Sequence, residues 1–254
     1  MTTLTLLARA YGVSQLNLMG DALKLSLEDL DIETKILGTA AGKSVQIAIA
    51  GEDEGIATNY IAKEIGFCPV NFEGVEKNSL LKGYVTDFGK SREELVVDVG
   101  VFQPKTVHAT VSLDHLQAQL VDGREVALEK IGELFGFCRD LPLSIKVVRV
   151  NEELSLIEAE LSAWQVEKYG VWQRALLDKL IIVGSTLQEA KDALEYANLS
   201  RDVISVESLG MFEHVLTCKL GTDAAGLIPK IGRILKNARF AVFNPKKLKK
   251  FLET

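Results

Sequence analysis

The segment Gly38-Thr39-Ala40-Ala41-Gly42-Lys43-Ser44 carries the glycines, lysine and hydroxyl of a phosphate-binding loop. Its glycine spacing is one residue short of that motif. Residues 45–50 also read as a strand, not as the helix whose N–H groups would cradle phosphates. A hairpin turn is the expectation for these glycines. Asp98, which would hold magnesium beside such a loop, is then read as a strand-end or turn carboxylate. The three histidines, His108, His115 and His214, have no partner at the i+4 spacing that sets two ligands on one helix face. His115, beside Asp114 at the start of a short helix, reads as a surface or capping residue. No G-x-S-x-G nucleophile elbow occurs. Cys68, Cys138 and Cys218 form no C-x-x-C pair, and their odd number fits small buried hydrophobes rather than a disulfide framework. The expectation is a chain without catalytic constellation, metal or cofactor.

Two groups of residues fit binding better. Residues 224–254 hold Lys230, Arg233, Lys236, Arg239, Lys246, Lys247, Lys249 and Lys250 against one acid, Glu253, so this end is +7. The whole chain is −6, which leaves −13 for the remainder. At about 100° per residue, Lys230, Arg233 and Lys236 face away from the stripe of Leu227, Ile231 and Leu235 on one helix. Lys246, Lys247, Lys249 and Lys250 extend the positive field, which could meet several phosphates of RNA. The aromatic side chains Tyr84, Phe88 and Phe102 are the second group, as candidates for stacking on bases.

The elements that must position these residues follow from periodicity. Alternation of Leu4, Leu6, Ala8 and Ala10 predicts a strand, and Ser14 is expected to cap the helix that carries Leu16, Met19 and Leu23. Strands at 32–37 and 45–50 and a helix over 55–65 complete a β-α-β-β-α order in residues 1–75, close to a ferredoxin-like unit. Residues 76–162 change character. Strands are expected at 82–88, 95–101 and 108–113, helices over 113–120 and from Leu128 to Gly136, and a closing hairpin of 143–150 with 154–161. Short strands with inserted helical turns predict a small barrel. A connecting helix occupies 163–178. Residues 179–254 repeat the first plan as β-α-β-β-α-β, with Thr186 and Glu189 as a capping box. The fold class expected is α+β, an S1/OB-like barrel flanked by two ferredoxin-like modules. No apolar run approaches the roughly 18 residues of a membrane span, and Met1-Thr2-Thr3-Leu4 lacks the basic start of a secretory signal. A cytoplasmic, membrane-free protein is expected.

Residues 82–100, Lys-Gly-Tyr-Val-Thr-Asp-Phe-Gly followed by Glu-Leu-Val-Val-Asp-Val-Gly, resemble the opening of an S1-type OB domain. Gly83, Val85, Phe88, Gly89, Val97, Asp98 and Gly100 match that pattern in type. The resemblance implies stacking of single-stranded RNA on strand aromatics, for which Tyr84, Phe88 and Phe102 are the candidates. The sequence departs from it by the five residues 90–94 after the Phe-Gly bend. It also lacks a second aromatic there and has Ser112 where the family's strand histidine would fall. The whole chain is similar to an archaeal family of uncharacterised proteins. That likeness rests on Gly83–Gly100, on Leu116-Gln117-Ala118-Gln119-Leu120 with Asp122-Gly123, and on Gly136-Phe137 with Leu141-Pro142-Leu143. The order of modules also resembles the alpha subunit of archaeal initiation factor two.

Two functions are expected from these features. The first is a non-enzymatic protein associated with single-stranded or structured RNA, in translation or RNA processing. The second is a protein–protein scaffold or assembly module, with a protein partner or a second copy joined through sheet edges.

Overall fold

The computed structural model describes residues 1–86, 88 and 92–253. The expected bend at Gly89 and the start of the 90–94 segment lie outside the described residues. Contacts divide the chain into two compact units, Met1–Gly74 with Gly100–Val107, and Val75–Val99 with His108–Thr254.

The first unit runs β1 (Thr2–Arg9), α1 (Val13–Ser26), β2 (Ile32–Thr39), β3 (Ser44–Gly51) and α2 (Glu54–Glu64). Its sheet has the order β1-β3-β2 with antiparallel neighbours. Leu4, Ile47 and Ile36 share a row across the three strands, and α1 packs on that face through Met19 and Leu23. The residue at the helix N-cap is Gly12, not Ser14, which lies inside the first turn. Beyond α2, Phe67 bridges antiparallel to Leu6, so the chain returns along the free side of β1. The glycine-rich segment is the turn between β2 and β3, with one 3-10 turn at Ala41–Lys43, and the strand Ser44–Gly51 follows it where a phosphate loop would open an α-helix.

A closed barrel follows, nearly all of it in the second unit. It is built from β4 (Leu80–Val85), β5 (Glu94–Val101), β6 (Val107–Ser112), β7 (Pro142–Asn151) and β8 (Leu156–Leu161). Around the barrel the order is β4-β5-β6-β8-β7, closed by a parallel pairing of β6 with β8. Val97, Val99, Ala109, Val111, Ile145, Val147, Ile157 and Ala159 are fully or almost fully buried. Asp98 is not at a strand end. It lies within β5, buried and opposite Tyr84. Two helices, α3 (Leu113–Leu120) and α4 (Leu128–Phe135), are inserted between β6 and β7. The hydroxyl of Ser112 caps α3 by accepting the His115 N–H.

After α5 (Ala163–Ala175) the chain forms β9 (Lys179–Val183), α6 (Leu187–Tyr196), β10 (Val203–Ser208), β11 (Glu213–Cys218), α7 (Ala224–Ile231), β12 (Arg239–Phe243) and α8 (Pro245–Glu253). The sheet order is β10-β11-β9-β12, with antiparallel neighbours throughout. The capping box forms as expected. Thr186 Oγ1 accepts from Glu189 N–H, and Glu189 Oε2 accepts from Thr186 N–H. One face of the sheet packs Leu180, Ile182, Leu216 and Cys218 against α6 and α7. Every residue of β9 is buried, so the second face is covered as well. There Phe243 meets Tyr169 and Trp172 of α5 and Phe135 of α4, with ring centroids 5.5–6.0 Å apart.

Two expectations fail in this region. The helix of Leu227 and Ile231 starts earlier, at Ala224, where Asp223 caps it, and it ends at Ile231. Pro229 sits inside it and removes one backbone donor, and the helix stops two residues later. Arg233 and Lys236 therefore lie on the following turn, off the helix. The lysine-rich end, in turn, is the helix α8. Pro245 preorganises its first turn, and Leu248 is its buried anchor.

The barrel and α4 meet at a glycine. A Cβ on Gly132 would lie 1.9 Å from Cζ of Phe88. Gly132→Ala is therefore expected to destabilise the chain by about 1–3 kcal/mol in urea titration. Adding Phe88→Leu should recover part of the loss, because the ring that causes the clash is gone.

Candidate nucleic-acid interface

Tyr84 and Phe88 are not presented as an exposed stacking pair. Tyr84 is 7% exposed, with its hydroxyl 3.6 Å from where a Cβ on Gly210 would sit in the turn after β10. Phe88 is half-buried on Gly132 and packs edge-on against Phe137, centroids 6.2 Å apart. Phe102 belongs to the first unit, where its N–H donates to the Val70 carbonyl. Their burial follows from long-range packing, to which strand alternation is blind.

Tyr196 and Tyr60 are exposed, and so is Trp164, at 62%. It stands at the start of α5, which is sewn to β7. Ser162 N–H donates to Ser144 O, the Ser162 and Ser144 hydroxyls are bonded at 2.9 Å, and Gln165 Oε1 accepts from Ser144 N–H. Ser162 also caps the helix by accepting Gln165 N–H. One turn on, the Lys168 ammonium lies 5.1 Å from the Trp164 ring and 5.4 Å from that of Trp172. Glu207 of β10 holds it at 2.8 Å.

These groups line a groove of about 270 Å³. Its base is Pro142, Leu143 and buried Tyr169 and Trp172, and its rim is Trp164, Lys168, Glu207 and exposed Lys82. Beneath Trp172, Lys179 donates to Thr217 Oγ1 at 2.8 Å and lies 5.7 Å from the indole. Burial pushes the pKa of this lysine down, partly opposed by Glu207 and Cys218. A flat, exposed indole with cations beside it and an apolar floor suits a planar, electron-rich ring attached to an anion. Sequence reading missed Trp164 as a site residue. The available signal was a tryptophan in the first turn of a helix with a lysine at i+4.

The C-terminal cations are exposed. Among the described residues, Lys230, Arg233, Lys236, Lys246 and Lys247 form no ion pair. Lys249 pairs with Glu253 at 3.6 Å, and Arg239 pairs with buried Asp140. Lys247 also faces Glu133, whose carboxyl is held below its ordinary range first by the bond from Lys130 and then by the charges of Lys130 and Lys247. The carbonyls at the end of α8 accept from the Arg124 guanidinium, which fixes the basic helix to the loop after α3.

The histidines do not converge. His108 Nδ1 lies 3.7 Å from Asp98, and His115 bonds its own cap, Ser112. His214 is buried. Its Nε2–H donates to the Ser185 carbonyl at 3.0 Å, which leaves Nδ1 to accept from the Ser208 hydroxyl at 3.2 Å. Burial pushes the Cys138 thiol up to about 12 and the Cys218 thiol up to about 11, so neither is a nucleophile near neutral pH. None of the three cysteines is joined in a disulfide. Among the described residues no three His, Cys, Asp or Glu side chains gather as a metal site. No helix of these residues is long and apolar enough to cross a membrane.

Two family models match the chain. Residues 75–173 match the DUF2110 central domain and residues 177–243 the DUF2110 C-terminal domain. Together they span well over half of the sequence, and the chain belongs to the DUF2110 family. No curated protein matches. Among solved structures, an uncharacterized protein from Methanocaldococcus jannaschii is similar at 14% identity and TM-score 0.24, over 35% of this chain and 93% of that one. The intact alpha subunit of aIF2 from Pyrococcus abyssi is similar at 12% identity and TM-score 0.26, over 66% of this chain and 96% of that one. A complex of a/eIF2alpha, aDim2p and rRNA from Pyrococcus horikoshii OT3 holds a chain similar at 12% identity and TM-score 0.27, over 49% of this chain and 60% of that one.

Burial lowers the pKa of His214 from 6.5, with the Ser185 bond partly opposing. The folded chain therefore holds His214 neutral where the unfolded chain is already protonated, so stability falls as pH drops below about 6.5. Denaturant midpoints of the natural chain and His214→Gln, measured from pH 8 to pH 5, should converge toward the acid end.

Proposed function

We propose that this chain is a non-enzymatic, RNA-associated protein that holds single-stranded RNA at the Trp164 groove. The carrying observation is Trp164 itself, a large exposed indole stacked on Lys168 over an apolar floor. Indole faces accept any base, because every base has a π-face, and exposed Lys82 on the rim is placed to meet phosphate. The exposed cations Lys230, Arg233, Lys236, Lys246, Lys247, Lys249 and Lys250 supply the longer-range attraction.

In this reading the barrel is an S1-type OB barrel. The 1-2-3-5-4 order of its strands and the parallel pairing that closes it support that assignment, as does the Gly83–Gly100 segment. The flanking sheets are read as ferredoxin-like modules, the second complete and the first lacking a full fourth strand. Three thiols outside any disulfide fit the cytoplasm, where thiols stay reduced. Tyr84 and Phe88 act in this scheme as packing residues, and stacking passes to Trp164.

Fluorescence anisotropy with a labelled single-stranded oligonucleotide tests the reading. Affinity should fall with salt, and Trp164→Ala should weaken binding by about 1–3 kcal/mol. The pair Lys246→Ala and Lys247→Ala should flatten the log–log salt slope by roughly 0.7 for each phosphate that is no longer neutralised. Binding that ignores salt, or that is unchanged in Trp164→Ala, would rule the proposal out.

A further inference from the structure

The sheet of the first unit ends on β2, which pairs only with β3 among the described residues. Its sequence Ile32-Glu33-Thr34-Lys35-Ile36 alternates strictly. Ile32, Thr34 and Ile36 are half-buried, whereas Glu33 and Lys35 are exposed on the opposite face. Ile36 lies against α1, with its Cγ1 3.2 Å from where a Cβ on Gly20 would sit. The side of α1 toward this strand leaves an open groove of about 420 Å³ lined by Asn17, Gly20, Asp21, Thr34 and Ile36.

Exposed edges are commonly blocked by charge. Repulsion across a new strand pair arises only where like charges face each other, and opposite charges facing each other attract. Here one acid and one base sit two residues apart on one face, and among the described residues neither forms an ion pair. We propose that β2 is a homodimer edge, paired antiparallel with β2 of a second copy about a two-fold axis through Thr34. That register sets Thr34 opposite Thr34, Glu33 opposite Lys35 of the second copy and Ile32 opposite Ile36. It therefore makes two ion pairs and two apolar pairs from a single strand.

Neighbouring two-fold registers are worse. Centring on Lys35 sets lysine on lysine and Glu33 against Leu37, and centring on Glu33 sets glutamate on glutamate. With the axis at Thr34 standing perpendicular to the sheet, the two copies form one six-stranded sheet, β1-β3-β2 continued by the same three strands in reverse. Both α1 helices then lie on the same face, and the groove beside Thr34 and Ile36 closes. The proposal is independent of RNA binding, since it uses only the first unit.

Sedimentation of the full chain across a range of concentrations tests it. The natural chain should dimerise. Glu33→Lys or Lys35→Glu alone sets like charges opposite each other and should weaken the dimer about tenfold or more. The double reversal, Glu33→Lys with Lys35→Glu, restores opposite signs and should return the dimer to its original strength. Both positions are exposed, so circular dichroism should be unchanged in all three variants. Thr34→Cys, oxidised, should give a covalent dimer, because facing residues in an antiparallel pair stand about 4.5–5.5 Å apart at Cα. A chain that stays monomeric, single reversals without effect, a double reversal as weak as the singles, or no crosslink through Cys at 34 would each overturn the proposal.

Discussion

The second unit depends on a sheet that cannot leave either face in water. All five residues of β9 and all six of β11 are buried. Helices α6 and α7 cover one face, and the other is covered by rings from elsewhere in the unit. Tyr169 is the centre of that cover, 5.2 Å from Phe135, 5.5 Å from Trp172 and 6.0 Å from Phe243 between ring centroids. Aromatic pairs of this kind add about 0.5–1.5 kcal/mol each beyond the burial of their area. The same burial raises the pKa of the Tyr169 hydroxyl far above its ordinary range, so the residue stays neutral in the packed state.

This packing explains why the groove has a firm wall. Helix α5 carries Tyr169 and Trp172 on its buried side and Trp164 and Lys168 near the rim. The rings that hold the sheet therefore also fix the angle of the exposed indole. Polar groups tie the same region at its margins. Asp178 Oδ2 accepts from the Ala224 N–H at the start of α7 and from the Asn244 side chain after β12. Arg239 of β12 pairs with Asp140, which lies in the loop between α4 and β7. Charged groups as buried as Asp140 need such partners, because an unpaired charge at that depth is costly.

Local signals carried much of the element pattern. Thr186 with Glu189 marked the start of α6, Gly136 the end of α4, and the alternation of Leu95, Val97, Val99 and Val101 the strand β5. Each depends on residues a few positions apart. Three features resisted the same reading. The apolar stripe of Ile231, Ile234 and Leu235 outlasts its helix, which ends at Ile231 with Gly232 as the cap, and the apolar period does not register that glycine. Helix α8 carries Pro245, Leu248, Phe251 and Leu252 at helical spacing, but the lysines between them read first as a field of charge and mask that short stripe. The burial of Tyr84 and Phe88 is set by Gly210 and Gly132, more than forty residues away in each case, and no spacing reports that. The groove escaped notice for the same reason: its residues are spread over β4, β7, α5 and β10.

The central claim is that RNA lies on Trp164. Ultraviolet crosslinking with a 4-thiouridine oligonucleotide, followed by mass spectrometry of the peptides, tests it most directly. The account predicts crosslinked nucleotide on the peptide containing Trp164. Crosslinks confined to the segment from Lys230 to Lys250, or none above the background of an unrelated acidic protein, would contradict it.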